Sequence, residues 1–210
     1  MKIIIVESRD KGTFQFSGYY YSDLLNLINK IGKHYIANSY HDWEKGNVII
    51  FNYPENPFKE SEIEKIDELV KNGKLIIFTG YYGNEDNVCD VINDVTKEYG
   101  IKLLESCIED KENCIEFKGN KNEKMVYTSK VYHFNEGVKK VLLGYCAPVE
   151  IKSSAKPLVE SEKGEIMAGC YKDSSGGGII AIGTCTFWDN FSIDEFDNKI
   201  FARNLLTNKF

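Results

Sequence analysis

The sequence predicts an α/β fold over residues 1–210, a single domain with a mostly parallel sheet and a β-rich extension at about residues 101–171. Three observations predict it. Three stretches of helical periodicity each end at a glycine and return to an apolar run, which is the signature of alternating strands and helices. The strand candidates are continuous apolar runs rather than alternating ones, as strands covered on both faces are. Between residues 101 and 171 the helical period disappears, and short β-like pieces separated by Asn, Lys and Gly take over.

The elements follow in order. Residues 2–6 (KIIIV) read as the first strand. In residues 20–31, Tyr21, Leu24, Leu25, Ile28 and Ile31 recur at helical spacing, with Ser17 or Ser22 as N-cap and Gly32 as a left-handed C-cap. Residues 35–37 and 47–51 (NVIIF) are the second and third strands. Residues 60–72 place Ile63, Ile66, Leu69 and Val70 on one face and Glu62, Glu64, Lys65, Glu68 and Lys71 on the other; Gly73 stops this helix, and residues 74–78 (KLIIF) form the fourth strand. Residues 87–99 gather Val88, Val91, Ile92, Val95 and Tyr99 before Gly100. Such alternation implies parallel strands joined by right-handed crossovers. The extension offers β-like pieces at residues 102–104, 114–117, 125–127, 141–146, 157–160 and 165–171, the outer ones expected to lengthen the sheet. Residues 178–183 (GIIAIG) read as the last strand of the main sheet. A closing helix at residues 197–208 has Ile200, Phe201 and Leu205 as its core stripe.

Composition narrows the function. Apolar content of 42% and charged content of 28% are ordinary for a globular protein. A net charge of −6 argues against nucleic acid or an anionic membrane, which demand a concentrated basic surface; the lysines of residues 118–124 are interleaved with Glu123 and Asn and read as a solvated loop. No apolar run approaches membrane-spanning length, and residues 2–6 are too short for the apolar core of a secretory signal. None of the six cysteines forms a C-x-x-C pair, which disfavours zinc and thioredoxin-type chemistry and fits small buried thiols in a reducing cytoplasm. No cofactor and no metal are expected. Arginine occurs only at Arg9 and Arg203 among abundant Lys, Ile and Asn, a bias of AT-rich prokaryotic genomes.

In open α/β sheets, ligands bind beyond the carboxyl ends of the strands. Four loops meet there: Glu7, Ser8, Arg9 and Asp10 with residues 16–19 beyond; Asn52, Tyr53 and Pro54; residues 79–84; and residues 184–190. Ser17, Tyr19, Asn52, Tyr53, Tyr81, Tyr82, Thr184, Trp188 and Asn190 offer rings and amides for a small polar ligand or a protein partner, although plain packing is the competing reading for each. A nucleophile elbow needs Ser or Cys flanked by glycines. Residues 79–83 (TGYYG) have the glycines and the position, but Tyr stands where the nucleophile belongs. Cys185 is the only thiol at this edge, and it needs His34, His41 or His133 in reach to act; a buried thiol is the plainer reading. A Glu7/Asp189 carboxylate pair is the other route to a hydrolase. Glu7, Asp10, Asp86 and Asp189 have magnesium-ligand chemistry, but each is also an ordinary loop carboxylate. Gly176–Gly178 precede a strand rather than a helix, so they do not make a phosphate loop.

With the opening KIIIVES, the block VIIFNYPENPFKESEIEKIDELVKNGKLIIFTG, the helix into EYGIKLLES and the closing GGGIIAIGTCTFWDNF and DNKIFARNLL, the chain resembles glutamine-amidotransferase-like domains that have lost the catalytic cysteine. Such domains occur in gliding-motility proteins auxiliary to ABC transporters, in an intraflagellar-transport subunit and in an oligosaccharyltransferase subunit. The blocks cover nearly the whole chain, and their order carries the resemblance. It implies a flavodoxin-like three-layer sandwich without amidotransferase activity, used for protein contacts or carbohydrate-related binding. Relatives often carry Asp after the Gly of the last strand, where this chain has Thr184. Ligand, partner and oligomeric state are left open.

Overall fold

The structure, a computed structural model, describes residues 1–6, 14–16 and 18–207. Glu7, Ser8, Arg9, Asp10 and Ser17 lie outside the described residues. Five parallel strands form the heart of the fold: β1 (Lys2–Ile5), β2 (Lys33–Ile36), β3 (Val48–Asn52), β4 (Leu75–Thr79) and β13 (Gly178–Ile182), in the spatial order β2-β1-β3-β4-β13. Ranked along the chain this is 2-1-3-4-5, the doubly wound order of flavodoxin-like sheets. Beside β13 the sheet continues antiparallel through β12 (Ile166–Lys172), β11 (Lys156–Glu160) and β8 (Lys130–Val131), to eight strands among the described residues.

Strand periodicity divides the apolar residues between two cores. Ile3, Ile5, Ile50, Ile77 and Ile180 meet Leu24 and Ile28 of α1 (Ser22–Ile31) and Phe201 and Leu205 of α4 (Asn198–Thr207). Ile4, Ile49, Phe51, Ile76 and Ile179 meet Ile66, Leu69 and Val70 of α2 (Glu60–Lys71) and Val88, Val91, Ile92 and Val95 of α3 (Val88–Thr96). Both cores draw on alternate residues of the same strands, which is why those strands read as unbroken apolar runs. Each fully buried Ile or Leu contributes about 1.5–3 kcal/mol through water removal.

The rest of the extension makes two small antiparallel sheets. One pairs β5 (Ile101–Leu103) with β10 (Val149–Ile151) and belongs to the second core. The other runs β6 (Cys114–Phe117), β7 (Asn120–Thr128), β9 (Val141–Gly144) and adds Val126, Val141 and Leu143 to the first. Its return leg presses on the end of β13: the Ala147 amide donates to the Gly183 carbonyl (2.8 Å), and a Cβ on Gly183 would lie 1.9 Å from the Ala147 oxygen.

Several details differ from the sequence reading. Gly73 and Gly100 are left-handed as expected, but Gly32 is extended, and it is a glycine because a Cβ there would meet the Met1 carbonyl at 2.8 Å. Among the described residues, no local side chain caps α1; the expected cap Ser17 lies outside them. The third helix is shorter than residues 87–99: residues 82–87 form an irregular turn with Gly83, Asn84, Asp86 and Asn87 left-handed, and a separate short turn covers Lys97–Tyr99. Ile200 is exposed, and Leu206 takes its place in the core stripe. Strands β8 and β10 were not anticipated. Among the described residues, no helix is long and apolar enough to cross a membrane.

Candidate functional site

Beyond the carboxyl ends of β3, β4 and β13, the polar residues first satisfy one another. Asn52, the last residue of β3, donates from Nδ2 to the Phe14 carbonyl (3.0 Å). Its Oδ1 accepts from Thr79 Oγ1 (2.7 Å) and Trp188 Nε1 (3.0 Å). Trp188 is 0% exposed, stacked on Phe187 (4.6 Å) and edge-on to Phe16 (5.7 Å). Asn52 and Trp188 were expected to face a ligand. They instead form a buried tie between β3, β4 and the segment after β13, because an indole N–H and an amide cannot stay unpaired in a dry interior. Thr184 is likewise buried: its Oγ1 donates to the Gly144 carbonyl (2.6 Å) and accepts from the Thr186 amide (3.1 Å).

Asn190 serves the neighbouring helix. Its Oδ1 accepts from the Asp23 amide (3.0 Å), and its Nδ2 donates to Ser22 Oγ (2.9 Å) and the Tyr19 carbonyl. It therefore caps the N-terminus of α1 from a distant part of the chain. Tyr19 itself is 76% exposed. Tyr53 is buried with a left-handed backbone; its ring lies 4.3 Å from Phe14 and its hydroxyl donates to Asp86 Oδ2 (3.0 Å). Burial, reinforced by Asp86, drives this phenol well above its ordinary pKa.

Among the described residues, Cys185 has no catalytic partner set. Cys185 is fully buried, and desolvation pushes its thiol up to about 12. Among the described hydrogen bonds it has none with an imidazole; His34 Nδ1 pairs with Asn29 Oδ1 (2.9 Å), and His41 stacks on Tyr40 (4.1 Å). Of the Glu7/Asp189 pair only Asp189 is described. The turn at residues 79–83 is no elbow: it opens into the irregular turn, and Asn84 Oδ1 caps α3 through the Cys89 and Asp90 amides (3.0 and 3.3 Å). Among the described residues, no group of three His, Cys, Asp or Glu side chains is placed to hold a metal ion.

Tyr81 and Tyr82 remain, and the extension completes their surroundings. Tyr145, just past β9 with a left-handed backbone, lies 6.1 Å from Tyr81 and 5.6 Å from Tyr82, ring to ring. Its amide donates to the Lys124 carbonyl (2.8 Å), and its carbonyl accepts from the Tyr82 amide (3.2 Å). Between these rings and the segment after β13 lies a cavity of about 570 Å³, with Tyr20, Tyr81, Met125, Tyr145, Asp189 and Phe191 in its walls. That volume suits a small organic molecule. Asp189 Oδ1 accepts from the Phe191 and Ser192 amides (both 2.9 Å), yet burial still pushes its carboxyl up to about 6.

Of the expected site residues, Tyr81 and Asp189 thus share one cavity, with Tyr82 beside it. Tyr20, Met125, Tyr145 and Phe191 were missed. One signal existed: Gly144-Tyr145 ends an apolar run as Gly80-Tyr81 does.

No protein-family model matches the chain. An uncharacterized protein of Aquifex aeolicus (strain VF5) is 34% identical to it over 208 residues, covering 90% of this chain and 86% of the relative. Among solved structures, the mmIFT52 N-terminal domain is similar with a TM-score of 0.80 at 15% identity, over 95% of this chain and 93% of that one. A cytoplasmic protein of Salmonella typhimurium has a TM-score of 0.62 at 13% identity, over 97% of both chains. A glutamine amidotransferase of Thermotoga maritima has 0.51 at 14%, over 98% and 96%. At these identities the solved structures share the fold alone, and they support an amidotransferase-like one.

Proposed function

The chain belongs to the same family as that Aquifex aeolicus protein, and we propose for it a binding role: a non-catalytic, amidotransferase-like domain that takes a small polar ligand at the carboxyl edge of its sheet. The observation that carries this reading is the aromatic cavity, walled jointly by the strand-end loops and by the β6-β7-β9 sheet. The thiol at the same edge is buried, protonated and without an imidazole among its described partners, which favours binding over hydrolysis. In this reading the helices on the two cores make a flavodoxin-like three-layer sandwich, and the protein works in the cytoplasm. A protein partner is the second reading, favoured by the exposed rings of Tyr19 (76%) and Phe191 (65%), which flank Tyr20 at 5.6 and 6.1 Å.

A thermal-shift screen with small polar compounds, saccharides included, tests the role. At least one compound is expected to raise the melting temperature of the wild type and to lose most of that effect in Met125→Trp, which fills the cavity, and in Tyr145→Ala, which removes a wall. A screen with no response counts against it. Ammonia released from glutamine at a rate that depends on Cys185 would sink the non-catalytic half.

A further inference from the structure

We propose that the cavity receives an organic cation, a small molecule whose methylated ammonium head group is taken up among Tyr81, Tyr145 and Asp189. The proposal rests on the binding role above and narrows it to one ligand chemistry. Among the described residues of its wall, Asp189 is the one formally charged side chain, and no Lys, Arg or His joins it. Among the described wall residues, an anion entering there meets a carboxylate and no base. A cation meets a carboxylate already oriented by two backbone amides.

The rings supply the rest. Aromatic faces attract cations within about 6 Å of their centroids, most strongly where water is excluded. The same ring cluster already does this on its outer side, where Lys124 Nζ sits 4.8 Å from the centroid of Tyr82, the ring that packs 4.8 Å from Tyr81 and 5.6 Å from Tyr145. Lys124 and Glu109, 3.9 Å apart, line a neighbouring depression and are not among the described residues of this cavity's wall. A primary ammonium carries three N–H groups that each need an acceptor, whereas this wall, although Asn122, Thr186 and Ser192 reach it, is mostly ring, thioether and other apolar surface. A methylated ammonium presents apolar surface to the rings and its charge to Asp189. Burial pushes the Asp189 carboxyl up to about 6, so at neutral pH it is an ionised group in poor solvent, and a cation beside it relieves that cost.

Calorimetric titration of the full chain with choline, with 3,3-dimethylbutan-1-ol (the uncharged isostere of choline) and with methyl glucoside tests the proposal. Choline is expected to bind at least tenfold more tightly than its isostere. Asp189→Asn keeps the side-chain oxygen that the Phe191 and Ser192 amides need; it is expected to weaken choline at least fivefold and to leave the isostere unchanged. Tyr81→Ala and Tyr145→Ala are expected to weaken both. Equal binding of choline and isostere, or an unaltered choline affinity in Asp189→Asn, overturns the cation assignment. Glucoside binding without choline binding also overturns it and leaves the binding role standing. Silence from all three probes overturns it as well, and the binding role falls with it only if the wider thermal-shift screen is silent too.

Discussion

At the residue scale, the clearest pH dependence belongs to Asp189, whose carboxyl is pushed up by burial. Its folded carboxyl titrates near 6, above the ordinary value of about 3.9. Between those values the folded state holds more protons than the unfolded one, so this group's contribution to stability is full below about pH 4 and is lost as pH rises through 6. Asp189→Asn removes that loss; its melting temperature should exceed that of the wild type by about 2–4 °C at pH 8, on the order of 1 kcal/mol after discounting for partial exposure, and match it near pH 4. Asp110 has the opposite sign. Burial raises its carboxyl, but hydrogen bonds from Asn113 and the Glu112 amide, with Lys163 at 3.3 Å, outweigh that and hold it at about 2. Its contribution is present above about pH 4 and lost as pH falls towards 2, so Asp110→Asn should be less stable than the wild type above about pH 4 and converge with it as pH falls towards 2. Among the cysteines, Cys107 alone is half-buried while the other five are buried. A thiol-reactive probe on the native protein should label about one site, more slowly than a free thiol because burial pushes Cys107 up to about 11, and Cys107→Ser should abolish it. Single residues were the least legible part of the sequence. Trp188 and Asn52 look like ligand groups in isolation, and only the fold shows that they bond to each other across 136 positions.

Elements were far easier to read, because period and punctuation are local. The runs 47–51 and 74–78 and the helix before Gly73 declare themselves within a dozen residues. Caps do not, when the capping side chain arrives from elsewhere. Asn190 caps α1 from 167 positions away, and Asn190→Ala should cost about 1 kcal/mol, seen as a lower melting temperature and faster amide exchange in the first turn of α1. Asn93 clamps α3 to β5 by both its amide atoms, to the Leu103 amide (2.7 Å) and carbonyl (2.9 Å). Asn198 does more: at the start of α4 it bonds the Leu142 amide and carbonyl and the carbonyls of Phe187 and Ser192, all at 2.8–3.0 Å. Asn198→Ala strands several buried backbone groups at once and should cost about 2–4 kcal/mol, measurable by chemical denaturation. A glutamine there is expected not to restore it, since a longer side chain cannot keep four short bonds in the same space.

For the molecule as a whole, the alternation pointed to parallel strands but not to their spatial order, and the extension could only be recognised as β-rich. Its strands are short and their partners distant: β8 finds β11, β5 finds β10, and β9 returns to β7 so that Tyr145 stands over Tyr81. Nothing in residues 101–171 taken alone distinguishes lengthening the sheet from walling the site, and the chain does both. Among the described strands β2 forms the outer edge; it is short, begins with Lys33 and leaves Tyr35 and Ile36 each 45% exposed, where a lysine at the rim discourages strand addition by other copies. The place of β13 has a consequence for biogenesis. It lies between β4 and β12, yet everything from residue 80 to residue 177 is translated before it. While a ribosome is still making that stretch, β4 and β12 each present a bare edge to the cell, and closure waits on GIIAI. Nascent chains stalled before residue 178 should therefore be protease-sensitive and chaperone-bound, and those stalled once residue 207 has cleared the exit tunnel should be neither.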